Sequence, residues 1–197
     1  MYWLTFASLF SAPTPVGFYP WFSEDDVPAF VQSNNAQYSL LLRTVVDPSG
    51  TLHGCEIETS KPDHALDAFT CSLVLKRARL KPARWIDGSP AVGVHRSTVI
   101  WQASPRPTSP SYDLMLLTDR LPQGVRSPAY VRVIFAADER GVPVSCDGAE
   151  KSNKPTLVEL ACAELTRRFV AIPPKDVNGG PVRSVQNGTV KVVKRSP

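Results

Sequence analysis

The chain has 197 residues, 43% hydrophobic and 20% charged, with a formal net charge of +4. That much apolar content supports a packed core and excludes a disordered chain, and no run reaches the roughly 20 apolar residues of a membrane-spanning helix. The Lys and Arg are scattered; the densest run, KRARLKPAR at 76–84, reads as a charged helix end, and no nucleic-acid partner is expected.

Residues 1–16 begin with MYWLTFASLFSA, apolar for about ten residues before the break at PTP. That is the length of a signal-peptide core, without the basic residues that normally precede one. Three readings stand: an export signal with its start placed too late, a short buried segment, or the remnant of a longer membrane anchor. From Tyr38 to Val46 the sequence is β-branched and apolar, with Leu40, Leu42, Thr44 and Val46 on one face. DPSG at 47–50 makes a tight turn, and TLHGCEIET at 51–59 returns as the second strand of a hairpin. Asp63 is placed to cap a helix on which Leu66, Phe69, Leu73 and Leu80 recur at helical spacing. Lys76, Arg77 and Arg79 suit the negative end of its dipole. KPARWIDGSPA turns the chain, and VGVHRSTVIWQ at 92–102 alternates as a third strand.

The pattern then repeats. A shift of 91 residues (146 minus 55) lays Cys55 on Cys146 and Cys71 on Cys162 without a gap. Asp47, Gly50, Leu66, Arg77, Pro82, Gly88 and Pro90 meet Asp138, Gly141, Leu157, Arg168, Pro173, Gly179 and Pro181. The matches fall on turns, cysteines and a helix face, where unrelated segments would not concentrate them. The expected organisation is therefore an apolar segment (1–16), a first unit (17–102), a Pro/Ser linker ASPRPTSPS (103–111) and a divergent second unit (112–197). The expected fold class is α+β. Each unit is a two-layer β-β-α-β element, a three-stranded antiparallel sheet with one helix.

On this map one cysteine of each pair ends a strand and the other lies mid-helix. Cys71, Val74 and Ala78 share a helix face, as do Cys162, Leu165 and Phe169. Disulfides Cys55–Cys71 and Cys146–Cys162 across the layer interface are the favoured reading, each closing a sixteen-residue loop. A zinc site would ask for closer pairs and more ligands; His53 has only Val144 at the matching position. A catalytic thiol would be single and near a histidine. Buried free thiols are the remaining alternative. Paired cysteines imply an oxidising compartment.

With those marks in place the first unit resembles the C-terminal domain of the TonB family of energy transducers. The resemblance rests on Asp25-Asp26-Val27-Pro28-Ala29, Val46-Asp47-Pro48-Ser49-Gly50, Cys55, Ala65-Leu66-Asp67, Cys71, Arg77-Ala78-Arg79, Pro82-Ala83 and Asp87-Gly88. It is nearest to the cysteine-paired form of sphingomonad-type alphaproteobacteria. The second unit is a weaker copy. The resemblance implies a periplasmic domain, exported or weakly anchored, that binds outer-membrane TonB-dependent receptors or other envelope proteins by strand addition at a sheet edge. It places that edge on the third strand of each unit: Val92, Val94, Arg96, Thr98 and Ile100, then Val185, Thr189, Lys191 and Val193. The family's membrane helix and long Pro-rich stretch are not among these residues, and Val27-Pro28 stands where Tyr-Pro is frequent. Binding is therefore expected, with proton-gradient coupling left aside. The alternatives are cell-envelope binding without an energy-transducing role, and pairing of the chain with its own copy as a homodimer.

No enzyme is expected, and no cofactor or metal. His53, His64 and His95 face Val144, Pro155 and Gln186 in the second unit, so a catalytic histidine would be unshared. No phosphate loop or nucleophile elbow is present in the sequence, and VNGGPV reads as a hairpin turn. Trp85 reads as a turn anchor and Trp101 as a sheet-packing residue, with a sugar-stacking surface as the sharper alternative.

Overall fold

The computed structural model describes residues 10–16, 21–59, 64–104, 110–149 and 154–195. The expected cap Asp63, the segment Met1–Leu9 and most of the 103–111 linker lie outside them. In chain order the elements are β1 (Thr14–Pro15), a 3-10 turn (Glu24–Asp26), α1 (Ala29–Ser33), β2 (Gln37–Val46), β3 (Leu52–Thr59) and α2 (His64–Arg77). Then come β4 (Leu80–Lys81), β5 (Ala83–Arg84), β6 (Pro90–Ala91), β7 (Gly93–Gln102), β8 (Leu114–Thr118), β9 (Ala129–Ala137), β10 (Pro143–Gly148), α3 (Pro155–Arg168) and β11 (Ser184–Lys194). The class is α+β. No helix among the described residues is long and apolar enough to cross a membrane.

The strands do not form two separate three-stranded sheets. Seven of them make one sheet in the order β10-β9-β11-β7-β2-β3, with β8 added beside β11. Within each half the pairing is antiparallel, β2 with β3 and β7, β9 with β10 and β11. The halves meet where β7 and β11 run parallel, Gly93 opposite Val185 and Val94 opposite Gln186. The 91-residue echo persists in three dimensions: α3 at 155–168 is α2 at 64–77 shifted by 91, and both disulfides follow the same shift.

Parallel pairing at the seam puts the two helices on opposite faces of the sheet. The α2 face of β7 carries Val99 and Trp101, and the Trp101 indole N–H donates to Thr70 Oγ1 of α2 at 2.9 Å. The α3 face of β11 carries Val190 and Val192, packed with Leu157, Ala161 and Leu165. Gln186 shares the face of Val190 and lies opposite Val94, the other face of β7. Each half's helix-free face is then covered by the other half's post-helix segment. Ala83, Ala91 and Phe10 bury Ala136 and Val185, while the Ile172 carbonyl accepts from Arg43 Nη2 at 3.0 Å. Arg43 is 3% exposed and also meets Glu56 at 3.0 Å, so its charge is paired in the interior.

Local chemistry accounts for the element ends. Asp47 Oδ1 accepts from the amides of Ser49 (2.8 Å) and Thr51 (2.9 Å), and Gly50 closes the turn at φ 91°. Asp138 does the same for Arg140 and Val142, with Gly141 at φ 83°. Pro155 opens α3, where a missing N–H costs nothing. α2 stops at Arg77, so Leu80, expected on the helix, instead lies in β4 and faces the core. Both disulfides are formed, each spanning sixteen residues with Cα atoms 5.5 Å apart, and no cysteine is free.

The turns and the disulfides can each be tested through stability. At Gly141 an added Cβ would lie 1.9 Å from the Ala171 carbonyl oxygen, whereas at Gly179 (φ 82°) nothing lies within 4 Å. In urea denaturation Gly179→Ala should cost only the left-handed backbone strain, about 1–2 kcal/mol, and Gly141→Ala about 1–3 kcal/mol more through forced overpacking. Non-reducing mass spectrometry should show two intra-half disulfides and no alkylatable thiol. Breaking either pair should lower stability by about 3 kcal/mol in the chain-entropy model.

Candidate functional site

The seam between β7 and β11 is short, and the two strands part beyond it. The Val185 N–H donates to the Val92 carbonyl at 2.9 Å. At Arg96 the main chain is met by a side chain instead: its N–H donates to Asn187 Oδ1 at 2.8 Å, and Asn187 Nδ2 donates to its carbonyl at 2.8 Å. β8 then takes over the side of β11, Leu114–Thr118 running parallel to Val190–Lys194. Asp113 closes the fork. Its N–H donates to the Thr189 carbonyl at 2.8 Å, its Oδ2 accepts the Thr189 N–H at 2.6 Å, and its Oδ1 contacts Arg96 Nη1. Arg96 turns its other donors to Glu58, with Nε at 2.9 Å from Oε2.

The geometry of Arg96 fixes which way the rest of β7 points. Its N–H and C=O face away from β2, and main-chain groups two residues apart face the same way. Thr98 and Ile100 therefore direct their N–H and C=O outward, while β2 lies on their other side with Leu41 and Ser39 in register. No described strand pairs with β7 there. The edge borders a groove of about 360 Å³ lined by Phe22, Val27, Thr98, Ile100 and Trp101, among others.

The segment beside this edge is wound rather than extended. Residues 23–27 are the counterparts of β8 under the 91-residue shift, yet Glu24–Asp26 form a 3-10 turn. The Ser23 N–H and hydroxyl donate to Asp26 Oδ2 at 2.7 and 2.8 Å, and Arg77 Nη2 donates to Asp26 Oδ1 at 2.9 Å. The Arg77 guanidinium, helped by Ser23, holds the Asp26 carboxyl well below the usual carboxylate range. Phe22 meets Trp101 edge-on at 5.2 Å, and Trp21 meets His95 at 5.7 Å. Burial pushes the His95 pKa down, opposed by its contact with the Pro13 carbonyl at 3.2 Å.

The nine expected edge residues divide sharply. Val92 precedes β7 and serves the seam; Val94 is fully buried; Arg96 belongs to the fork. Of the nine, only Thr98 and Ile100 lie where no described strand pairs with theirs. The second edge is corrected: β11 is an interior strand, with β9 along 184–192 on one side and β7 and β8 on the other. Val185 is completely buried, the Thr189 main chain is held by Asp113, and Lys191 and Val193 stand opposite Met115 and Leu117 of β8. The expected organisation omitted β8, although DLMLLT at 113–118 carries its signal, four apolar residues in a row. Among the histidines, His53 contacts Asp47 Oδ2 at 2.7 Å, His64 opens α2, and His95 lies under Trp21. Trp85 does anchor a turn, its carbonyl accepting the Gly88 N–H at 2.9 Å, and Arg183 stacks on its ring at 4.6 Å.

No family model matches the chain, and neither a curated protein nor a solved structure matches it.

The fork makes its own prediction. The Thr189 N–H points to the β8 side, so Lys191 and Val193 should direct theirs to β8 as well. Asp113→Ala removes the anchor and leaves Arg96 short of a carboxylate. Amide exchange at Lys191 and Val193 should rise at least about tenfold, with Val190 and Val192, which face β9, changing less.

Proposed function

We propose that the chain is a peptide-binding module of the bacterial periplasm, of the TonB C-terminal type, serving transport across the outer membrane. An extended segment of an outer-membrane receptor, or of another envelope protein, adds as a strand to β7 at Thr98–Ile100. The observation that carries this reading is the outward-facing main chain of those residues beside a groove in which Phe22, Val27, Ile100 and Trp101 stand with Ser23 and Glu24. Strand addition draws affinity from main-chain hydrogen bonds and selectivity from alternate side chains. The chain contains its own precedent: β8 lies parallel along the matching stretch of β11. An incoming strand would run parallel to β7 in the same way, and its alternate side chains would lie in the groove lined by Phe22, Val27 and Trp101. The two disulfides support an oxidising compartment.

The test is a titration of the isotope-labelled chain with synthetic peptides from the N-terminal segments of TonB-dependent receptors. Chemical shifts should move at residues 97–102 and along Phe22–Val27. Thr98→Pro removes an outward N–H without touching a bond to β2, so the sheet should persist. The variant should lose peptide binding by about tenfold or more, one main-chain hydrogen bond and the strand's close approach being lost together. Shifts confined to another surface, or full binding by a folded Thr98→Pro variant, would refute the assignment.

A further inference from the structure

We propose that the cavity at the fork of the sheet binds one neutral pyranose ring of a carbohydrate, independently of the strand edge. The cavity encloses about 300 Å³ between the halves, with Glu58, Arg96, Tyr112, Asp113, Ile172 and Gln186 in its wall. That is at the small end of the roughly 300–1,000 Å³ typical of ligand pockets, room for a single ring.

Its floor is polar and enclosed. The side chains of Glu58, Arg96 and Asp113 are 12%, 13% and 7% exposed, and Gln186 is 2% exposed. Around it the charges cancel: Arg43 and Arg96 stand against Glu58 and Asp113. Glu56, the other partner of Arg43, is 64% exposed on the solvent side. A bound cation would meet two guanidinium groups and a bound anion two carboxylates, so a net charge gains little on entry.

Hydrogen-bonding capacity remains nevertheless. Glu58 Oε2 accepts from Arg96, whereas Oε1 stands 3.7 Å from Arg43 Nε, beyond hydrogen-bond length. Gln186 commits one Nε2 proton to Ser184 Oγ at 3.0 Å and keeps a second. An acceptor on Glu58 and a donor on Gln186, both in the wall of one cavity whose charges balance, suit hydroxyl groups, which donate and accept at once.

The mouth of the cavity is apolar. Ile172 is 59% exposed and Tyr112 42% exposed. Lys191 Nζ lies 4.9 Å from the Tyr112 ring centroid in a cation–π contact, with the opposite face of this cavity-lining ring assigned to the C–H face of a sugar. Groups on the floor that pair with hydroxyls, and an aromatic ring at the mouth, together suit a pyranose.

The test is a titration of the full isotope-labelled chain with D-glucose, D-galactose, D-mannose and N-acetylglucosamine, followed at Gln186 Nε2 and at the Tyr112 and Ile172 amides. At least one should saturate these shifts with a dissociation constant of about 0.1–10 mM. Tyr112→Ala, a change at an exposed position, should weaken it about five- to tenfold and leave the fold intact. Glucosamine and glucose 6-phosphate should bind no better than glucose. A soluble N-acetylglucosamine tetramer binding at least as tightly as the monosaccharide points to a glycan end as the source, and weaker binding to a free sugar. If no neutral sugar saturates, if the shifts map elsewhere, if Tyr112→Ala binds unchanged, or if a charged analogue binds best, the proposal fails.

Discussion

Two opposed residue pairs hold the molecule's architecture together. Gly93 with Val185, and Val94 with Gln186, join β7 to β11 in parallel, and every larger feature depends on that orientation. An antiparallel junction would have set both helices on one face. The parallel one sets them on opposite faces, so each half presents a helix-free sheet face to the loops of the other. Gly93 shows how tightly this seam is built: a Cβ there would lie 2.2 Å from the Pro13 ring and 2.8 Å from Ala83. The exchange of covering segments adds a third apolar cluster at the seam to the two that lie beneath α2 and α3 on opposite faces of the sheet.

The same seam creates the fork. Sheets twist, and strands that begin side by side diverge unless a partner is kept along their length. Asn187 holds β7 for one further step with a side-chain amide, and Asp113 then gives β11 a new neighbour. The repeat is therefore symmetric in α2 and α3, in the Asp-held turns and in the disulfides, but asymmetric beside its third strands. Where the second half has β8, the first half has a 3-10 turn held by Arg77 through Asp26. Asp113 and Phe22 occupy matching positions, and that exchange of a carboxylate for an aromatic ring separates a sealed edge from an open one.

How much of this could be read in advance depends on the range of the interaction. The hairpins, α2, α3 and the cysteine pairs were legible because their causes are local: alternation, turn residues, helical spacing and a 91-residue echo; the short α1 at Ala29–Ser33 was not expected. Leu80 was misplaced because its periodicity continues past Arg77, while the chain in fact turns to lay β4 against β1. The second edge was misread because alternation in VQNGTVKVVK tells which face a residue takes, not how many neighbours the strand has. Val185 looks alike as an edge or an interior residue until β7 is beside it. Arg96 and Asp113, 17 positions apart, meet only because the seam is parallel, and nothing periodic announces them. Of the nine residues expected at an edge, Thr98 and Ile100 are the two that lie where no described strand covers β7.

Duplication of a binding domain usually raises valency, and two sites on one chain convert weak contacts into strong ones by effective concentration. β8 removes that option at the third strands. By lying on β11 it fills the counterpart of the β7 slot internally, while β3 and β10 remain the outer strands of the sheet. Under the proposed reading the slot on β7 engages one target at a time, and because its counterpart on β11 is filled by β8, residence there is set by one groove and its neighbours rather than by avidity across the two third strands.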